Sequence, residues 1–211
     1  MKFDELYDIA GQAVREEELT AKEIPNIDLY VDQIINLVSE KNSQSSERYL
    51  DKQLTKTMIN NYSKDGLITP VKGKKYNREQ IVQILSIYTL KNTLSMGEIK
   101  RLLDGAYAID GYNGDSLADT YDRYISIKND NREYSKEILG DLIKKNSLDI
   151  NDERDLILVV GSLLSLSGQL RNIAQEIIDV KYPVIEELEE KPRKERKKKK
   201  NSDTDPEVSN S

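Results

Sequence analysis

The sequence predicts a mainly α-helical fold, and three observations favour this prediction. Apolar residues recur at spacings of three and four through most of the chain, as they do on the buried face of a helix. Proline and glycine separate these segments, for example at Pro25, Gly66 and Pro183. The longest dense apolar run, Leu156 to Leu166, is shorter than the roughly 20 residues that span a bilayer. The pattern is therefore typical of a protein without membrane segments.

Composition narrows the classes of function. The 211 residues contain no cysteine and no histidine. Thiolate ligands, disulfides, cysteine nucleophiles and the commonest general base near neutral pH are therefore missing. We expect no catalysis, no metal and no cofactor. The first residues, MKFDELYDIAG, lack the basic and apolar regions of a secretory signal, so we expect a cytoplasmic protein that does not bind membranes.

The first predicted element is an amphipathic helix over residues 1–21, within an N-terminal segment of residues 1–23. Its apolar face consists of Phe3, Leu6, Ile9, Ala10, Ala13 and Val14. A second helix is predicted over Ile27–Val38, after Pro25, with Asp28 accepting hydrogen bonds from the first backbone N–H groups. The polar stretch KNSQSSERYLDK at residues 41–52 indicates a connection.

A short helix is predicted next, over residues 54–65. Its apolar residues fall on one face and are Leu54, Met58, Ile59 and Tyr62. Thr55 has the side chain of an N-cap, and Gly66 suits the left-handed conformation that ends many helices.

A small wing and two further helices follow. Lys72-Gly73 lies between residues 67–71 and 74–76, which indicates a tight turn joining two short strands. Asn77 is predicted to cap a helix whose buried stripe is Ile81, Ile84, Leu85, Tyr88 and Thr89. Ser95 is predicted to cap the next helix, with Glu98 completing a capping box.

This part of the chain also carries a concentrated positive charge. From Arg48 to Arg101 there are 11 basic and 4 acidic residues, a net charge of +7. The remaining residues include 21 basic and 34 acidic side chains, a net charge of −13. A polyanion is therefore expected to approach the protein at this part only.

Three stretches carry a resemblance to a known family: TKTMINNYSKDGLITP, KKYNREQIVQILSIYTLKN and LSMGEIKRLL. They resemble the DNA-binding module of MerR-type regulators. More narrowly, LYVDQI at residues 29–34, together with LTKTMINNY, resembles a bacterial group catalogued as domain of unknown function 1836. The likeness covers about residues 24–104. It implies a MerR-type winged helix-turn-helix with a small β-hairpin wing.

The MerR resemblance implies that the helix Thr55–Lys64 enters the major groove of double-stranded DNA while the turn Lys72–Lys75 follows the phosphate backbone. The residue types suit these roles, because asparagine can pair with adenine, lysine can pair with guanine and clustered cations can contact adjacent phosphates. The candidate DNA-binding residues are Thr55, Lys56, Thr57, Asn60, Asn61, Tyr62, Lys64, Lys72, Lys74, Lys75, Tyr76 and Arg78. Two alternatives stay open. The polar helix face can be an ordinary solvated surface, and Tyr62 and Tyr76 can be core residues.

Residues 105–182 predict a helical region for oligomerisation or sensing. A loop is expected over residues 106–116, followed by one amphipathic stretch near Tyr121 and another near Leu139. The last helix has a continuous apolar seam of Val159, Leu163, Leu166, Leu170, Ile173 and Ile177. This seam packs either inside one subunit, against Tyr121, Tyr124 and Ile138, or against its copy. We favour a homodimer, because two half-sites read together give specificity.

The C-terminal residues 183–211 predict a disordered charged tail. An acidic run is followed by eight basic residues between Lys191 and Lys200, and nothing in this segment could form a core. The sequence as a whole predicts a sequence-specific DNA-binding transcription regulator whose effector, if one exists, is left open. The alternative is a non-catalytic adaptor whose winged helix binds another protein, which the −13 balance outside the basic region favours.

Overall fold

The computed structural model describes residues 3–43, 45 and 53–184. Within these residues the protein is mainly helical, as the sequence predicts. The α-helices are α1 (Phe3–Ala13), α2 (Val31–Asn42), α3 (Lys56–Lys64), α4 (Arg78–Leu90), α5 (Met96–Tyr107), α6 (Gly114–Lys145) and α7 (Glu153–Lys181). A short 3-10 helix spans Ala21–Glu23, and two strands, β1 (Leu29–Tyr30) and β2 (Lys75–Tyr76), form a small antiparallel sheet.

The first predicted helix is shorter than the sequence pattern indicates, and the second lies four residues later in the chain. Helix α1 ends at Ala13, and helix α2 spans Val31–Asn42 instead of Ile27–Val38. Leu29 and Tyr30 are extended because they pair with β2. Asp28 is therefore not the cap of α2, and the backbone N–H of Tyr30 instead donates to Gln33 Oε1 at 2.9 Å.

The segment between α1 and α2 lies as a strap across α6. Lys128 on α6 forms ion pairs with both Glu16 and Glu18. The hydroxyl of Tyr121 donates to the backbone carbonyl of Leu19 at 3.0 Å. The backbone N–H of Ala21 donates to Asp122 Oδ1 at 2.6 Å. These contacts fix a stretch of chain that has little regular secondary structure.

Helix α3 begins and ends where the sequence predicts. Thr55 Oγ1 accepts a hydrogen bond from the backbone N–H of Met58 at 3.2 Å. At the other end, Gly66 has a φ of +66°, and the N–H of Leu67 donates to the carbonyl of Tyr62 at 2.9 Å. This is a Schellman motif, which glycine permits because it has no Cβ to oppose the left-handed conformation.

The predicted pairing of the wing is wrong. We expected residues 67–71 to pair with residues 74–76, but β2 pairs with β1, with Leu29 opposite Tyr76 and Tyr30 opposite Lys75. Residues 67–71 are held instead by two buried glutamines of α4. Gln80 Nε2 donates to the carbonyls of Thr69 and Pro70 at 3.1 Å, and Gln83 Oε1 accepts from the N–H of Thr69 at 2.9 Å. Side-chain amides therefore satisfy the backbone groups that a strand would otherwise satisfy.

Helix α4 lies at the centre of the larger hydrophobic core. Its buried apolar residues are Ile81, Val82, Ile84, Leu85, Ile87 and Tyr88. This core extends from Leu19 to Ile125 and includes the first part of α6. The predicted cap of α4 is confirmed, because Asn77 Oδ1 accepts from the N–H of Gln80 at 2.9 Å. Burial on nearly all sides explains why the apolar pattern of α4 extends beyond one stripe.

The capping box of α5 is also confirmed. The N–H of Ser95 donates to Glu98 Oε2 at 2.7 Å, and the N–H of Glu98 donates to Ser95 Oγ at 3.3 Å. Helix α5 continues to Tyr107, so the predicted loop of residues 106–116 is confined to the turn before Gly114. That turn ends at Asn113, whose Oδ1 accepts from the next helix at 3.0 and 3.1 Å.

Helix α6 is one element of 32 residues, where the sequence indicates two amphipathic stretches. It is about 48 Å long at the usual rise per residue. Its first part packs on α4, and its last part joins a second hydrophobic core of Leu139, Ile143, Ile150 and Val159. Helix α1 covers this second core with Leu6 and Ala10. The two stretches therefore belong to the same helix but to different cores.

Helix α7 returns toward α5. Arg101 on α5 forms an ion pair with Asp179 at 2.7 Å and donates to the carbonyl of Tyr182 at 3.1 Å. Gln175 Nε2 donates to Glu98 Oε1 at 2.8 Å. We call this set of contacts the α5–α7 clasp. The predicted tail lies almost entirely outside the described residues, which end at residue 184.

Candidate nucleic-acid interface

One face of α3 is polar and open to solvent. Met58, Ile59 and Tyr62 turn toward the core, and the opposite side chains are exposed. The exposed candidate residues on this helix and its cap are Thr55, Lys56, Thr57, Asn60, Asn61 and Lys64. The helix is therefore anchored by its apolar side and presents amides, hydroxyls and cations on the other.

The turn before β2 is the second exposed element. Lys72, Lys74 and Lys75 are all exposed, and Gly73 between them has a φ of +83°. The left-handed conformation of Gly73 reverses the chain and places these lysines close together on the turn. The ammonium group of Lys75 also lies 5.0 Å from the centre of the Tyr30 ring. The turn is thereby tied to the start of α2.

The polar face of α3 and the lysine turn border the same groove. Its volume is about 780 Å³. Lys56, Asn60 and Lys64 of α3 line one part of it, and Gly73 and Lys74 line another. Residues that are far apart in sequence are thus brought to one surface. Asp32, near the start of α2, also lines the groove and places one negative charge in it.

Two of the candidate contact residues are part of the core. The side chain of Tyr62 is 3% exposed and that of Tyr76 is 8% exposed. Burial raises the pKa of Tyr62 to about 12, with a smaller effect from neighbouring Tyr88. The hydroxyl of Tyr62 has no hydrogen-bond partner within the described part of the chain. Both tyrosines therefore support the surface from beneath, in agreement with the alternative that the sequence left open.

Arg78 has an intramolecular role. Its guanidinium donates to the carbonyl of Ala21 at 3.2 Å and lies 3.8 Å from the carboxylate of Asp115. It therefore connects the strap and the start of α6 to the start of α4. Arg78 is therefore engaged in contacts within the chain, unlike the exposed lysines of the turn.

The remaining cations of the basic region are dispersed. Lys100 pairs with Asp104 at 3.0 Å, and Arg101 belongs to the α5–α7 clasp. Lys91 contacts Met58 Sδ at 3.0 Å and lies over the ring of Tyr88. Arg48 and Lys52 lie outside the described residues. Among the described lysines of this region, Lys56, Lys64 and Lys74 line the groove, and Lys72 and Lys75 are exposed beside Lys74 on the same turn.

A hydrogen-bond network behind the groove was not anticipated from sequence. Gln83, which is 1% exposed, donates to the hydroxyl of Tyr107 at 2.8 Å, and that hydroxyl donates to Glu79 Oε1 at 2.7 Å. Burial and the bond to Glu79 raise the pKa of Tyr107. The network links α4, α5 and the chain at Thr69. The sequence contains one indication of this network. Glutamines occupy core positions of the apolar helix α4, and buried amides require hydrogen-bond partners.

The predicted oligomerisation seam divides into two parts. Val159 is buried in the second core, and Leu163 packs against it. Leu170, Ile173 and Ile177 are 54%, 59% and 60% exposed. The seam therefore packs inside the chain along its first half and lies open along its second half. Other apolar side chains of α7 that are largely exposed are Ile157, Leu158, Val160, Leu164 and Val180.

Helix α7 is long and apolar enough, by length and composition alone, to cross a membrane. The sequence interpretation considered only the shorter run to Leu166. The stretch without charge lies between Asp155 and Arg171 and covers about 22 Å of helix. Since the hydrocarbon core of a bilayer is about 30 Å thick, a membrane span by α7 would have to include charged residues at its ends.

The chemistry of the groove is that of hydrogen bonding and positive charge. Among the residues that the structure describes, no group of three or more acidic side chains is arranged to hold a metal ion. Amides, hydroxyls and ammonium groups can bind an extended anionic partner through its charged and polar edges.

Comparison with protein families gives a match over half of the chain. A family model described as "Domain of unknown function (DUF1836)" matches residues 19–124. This range starts in the strap, includes the groove and ends in α6. Neither the curated proteins nor the solved structures contain a match.

Proposed function

The chain belongs to the DUF1836 family, and we propose that it is a DNA-binding transcription regulator that reads double-stranded DNA with α3. In this proposal the exposed face of α3 enters the major groove, and the lysine turn contacts the phosphate backbone. The unit of residues 24–104 then acts as a winged helix-turn-helix of MerR type. The protein acts as a homodimer and requires no catalysis.

The observation that carries this proposal is the shared groove of α3 and the lysine turn. A recognition helix needs exposed side chains that reach base edges, and α3 offers Asn60 and Lys56 beside the groove. A wing needs cations that contact phosphates without reading sequence, and the turn offers Lys72, Lys74 and Lys75. Since both elements border one surface, a single duplex could contact them together.

The internal contacts also suit a DNA-reading surface. Buried glutamines hold residues 69–70 against α4, and Lys75 stacks on Tyr30. The buried Ile59 and Tyr62 hold α3 on the same core, so the turn and α3 are positioned by contacts within the chain. A preformed surface loses less conformational entropy on binding than a flexible one.

Charge reversal of the turn tests the proposal. We expect Lys72→Glu, Lys74→Glu and Lys75→Glu together to weaken binding to every DNA sequence, because the contacts to phosphate are lost. The charge-matched control is Lys22→Glu, Lys144→Glu and Lys145→Glu, which changes exposed lysines away from the groove. Gel shift or fluorescence anisotropy at low salt measures both. Equal binding by the turn variant and the control contradicts the proposal.

Base reading by α3 is tested separately. We expect Asn60→Ala to change sequence preference in a selection from random duplexes, because a bidentate asparagine contact is worth about 1–3 kcal/mol of discrimination. Asp32→Asn is expected to change overall affinity and not sequence preference. It removes a negative charge from the groove, so it should strengthen binding to all sequences alike.

A second candidate is an adaptor that binds a protein through the same groove. Two observations favour it: apolar side chains of Val31, Ile68 and Val71 line the groove beside the lysines, and Asp32 opposes a polyanion there. A peptide of mixed charge with apolar anchors would satisfy both features.

A further inference from the structure

Helix α7 has an outer face that is turned away from the second core. We define the outer face as Glu153, Ile157, Val160, Gly161, Leu164, Gly168 and Arg171. At 3.6 residues per turn these positions fall within an arc of about 100°, roughly opposite buried Val159. Ile157, Val160 and Leu164 are 71%, 56% and 70% exposed. Large apolar side chains are thus presented to solvent in one strip.

Two glycines on this face have no packing role within the described structure. A Cβ added to Gly161 or Gly168 would meet no atom of the described residues within 4 Å. By contrast, a Cβ at Gly105 would collide with the ring of Tyr182, and one at Gly140 would collide with Tyr7. Glycine is a poor helix former, so its presence twice in a helix calls for a packing reason. Gly161 and Gly168 are seven residues apart and form two hollows on the same side.

We propose that the outer face of α7 binds the outer face of a second copy of the chain, with the two helices antiparallel and centred near residue 162. In this register Ile157 enters the hollow at Gly168 of the partner subunit. Leu164 lies opposite Gly161 of the partner subunit. Each large side chain therefore meets a small one, and the two-fold symmetry repeats every contact.

Charge favours the same arrangement. Glu153 lies at one end of the outer face and Arg171 at the other, and neither has an ion-pair partner in the described part of the chain. Antiparallel helices bring Glu153 beside Arg171 of the partner subunit at both ends. Parallel helices would instead oppose identical charges. Between these ends, residues 156–170 contain no charged side chain, although 33% of the residues in the chain are charged. Two copies of this stretch can therefore pack together without burying a charge.

This inference refines the proposed homodimer, on which it rests for its biological role. The sequence predicts the dimer through the seam of Val159, Leu163, Leu166, Leu170, Ile173 and Ile177. Its first three residues are partly or fully buried inside the chain, and its last three are exposed. Because burial interrupts the seam, we assign the contact to nearly the opposite side of the same helix.

Sedimentation equilibrium of the full chain without DNA tests the contact. We expect twice the 24.2 kDa chain mass, and we expect Gly161→Leu and Leu164→Glu each to weaken dimerisation at least about tenfold. Gly161→Leu has open space in the single chain, so its fold should be retained. The matched control is Ile173→Glu, an exposed apolar residue outside the outer face, which should leave the dimer unchanged.

The register is tested with charges and introduced cysteines. Glu153→Arg and Arg171→Glu should each weaken the antiparallel dimer, and the double variant should recover it. Because the chain contains no cysteine, Ile157→Cys mixed with Gly168→Cys should form a disulfide between the two variants. Crosslinking of either variant alone, and not of the mixture, overturns the antiparallel register.

Two other outcomes overturn the inference. One is a monomer at all concentrations. The other is binding of α7 to vesicles of phosphatidylcholine and phosphatidylglycerol that Leu164→Glu abolishes, which would assign the outer face to a lipid surface. Dimerisation and vesicle binding are both measured without DNA, and the charge reversal of the lysine turn does not change α7. Failure of the dimer contact and failure of DNA binding are therefore distinguishable.

Discussion

At the scale of single residues, the same side-chain chemistry has different roles in the core and at the surface. Asn60 is exposed on α3, while Gln83 is buried in α4 and holds the backbone of Thr69. Lys75 is exposed beside the groove, while Arg78, three residues later, holds the strap. Contacts fixed by folding thus decide which polar residues are available to a partner.

Because Tyr62 is buried, we expect the stability of the folded protein to depend on pH in the alkaline range. Burial raises its pKa in the folded protein to about 12, above the usual value near 10 in an unfolded chain. The stability that its protonated form contributes is therefore complete below about pH 10 and declines as the pH rises toward 12. We expect Tyr62→Phe to lose less stability over this range, measured as the urea midpoint against pH.

The neutral-pH behaviour of Tyr62→Phe provides the control. The hydroxyl of Tyr62 is buried without a partner in the described structure, so removing it should not destabilise the protein at pH 7. Tyr134→Phe, at a side chain 59% exposed, should leave the alkaline decline unchanged. If Tyr62→Phe and Tyr134→Phe respond alike, burial of Tyr62 does not cause the effect.

At the scale of elements, the α5–α7 clasp joins the candidate DNA-reading unit to the helix that we assign to dimerisation. Hydrogen bonds from Ser95, and then from Gln175, lower the pKa of Glu98. Arg101 reaches both Asp179 and the carbonyl of Tyr182. The ring of Tyr182 lies directly over Gly105, which leaves no room for a larger residue.

Gly105→Ala is expected to release the end of α7. The new methyl group would displace Tyr182, so amide hydrogen exchange of residues 178–182 should become faster. Alanine is also the better helix former by about 1 kcal/mol, so α5 itself should not weaken. Gly97→Ala is the matched control in α5, because a Cβ there meets only Ser95 Oγ at 4.0 Å. Faster exchange in both variants would count against the clasp.

The elements also differ in how far the sequence predicts them. Thr55, Asn77 and Ser95 mark helix starts correctly, because capping depends on residues only three positions apart. The wing pairing is wrong because β2 finds its partner more than 40 residues upstream, at β1. Local patterns contain no information on such long-range pairing. The exposed side of α3 was predictable, since the apolar face of a short helix defines the polar one.

At the scale of the whole molecule, charge is distributed unevenly. The basic region carries +7 and the remaining sequence −13, yet only part of the basic region borders the groove. The sequence predicts that basic residues are concentrated in one part of the chain, but it does not predict which of them are free to bind a partner. In the folded protein, Arg78, Lys100 and Arg101 pair with acidic or carbonyl groups.

Salt dependence separates the two candidate functions. If DNA is bound through the two lysines of α3 and the three of the lysine turn, the logarithm of affinity should fall with the logarithm of salt concentration. The slope should be up to about −4 to −5, since each phosphate contact contributes about −0.9. The turn variant should lose about three contacts and give a shallower slope. Anisotropy on random duplex DNA measures both slopes. A slope near zero would favour the protein-binding adaptor.

The length of α6 has a practical consequence for dissecting the protein. Leu117, Ala118, Tyr121 and Ile125 complete the core around α4, although they follow the turn at Asn113. A fragment cut at residue 104 would expose that apolar surface to water and aggregate or unfold. Any attempt to isolate the candidate DNA-reading half should therefore retain the chain through Lys128, which lies just beyond the family match and holds the strap.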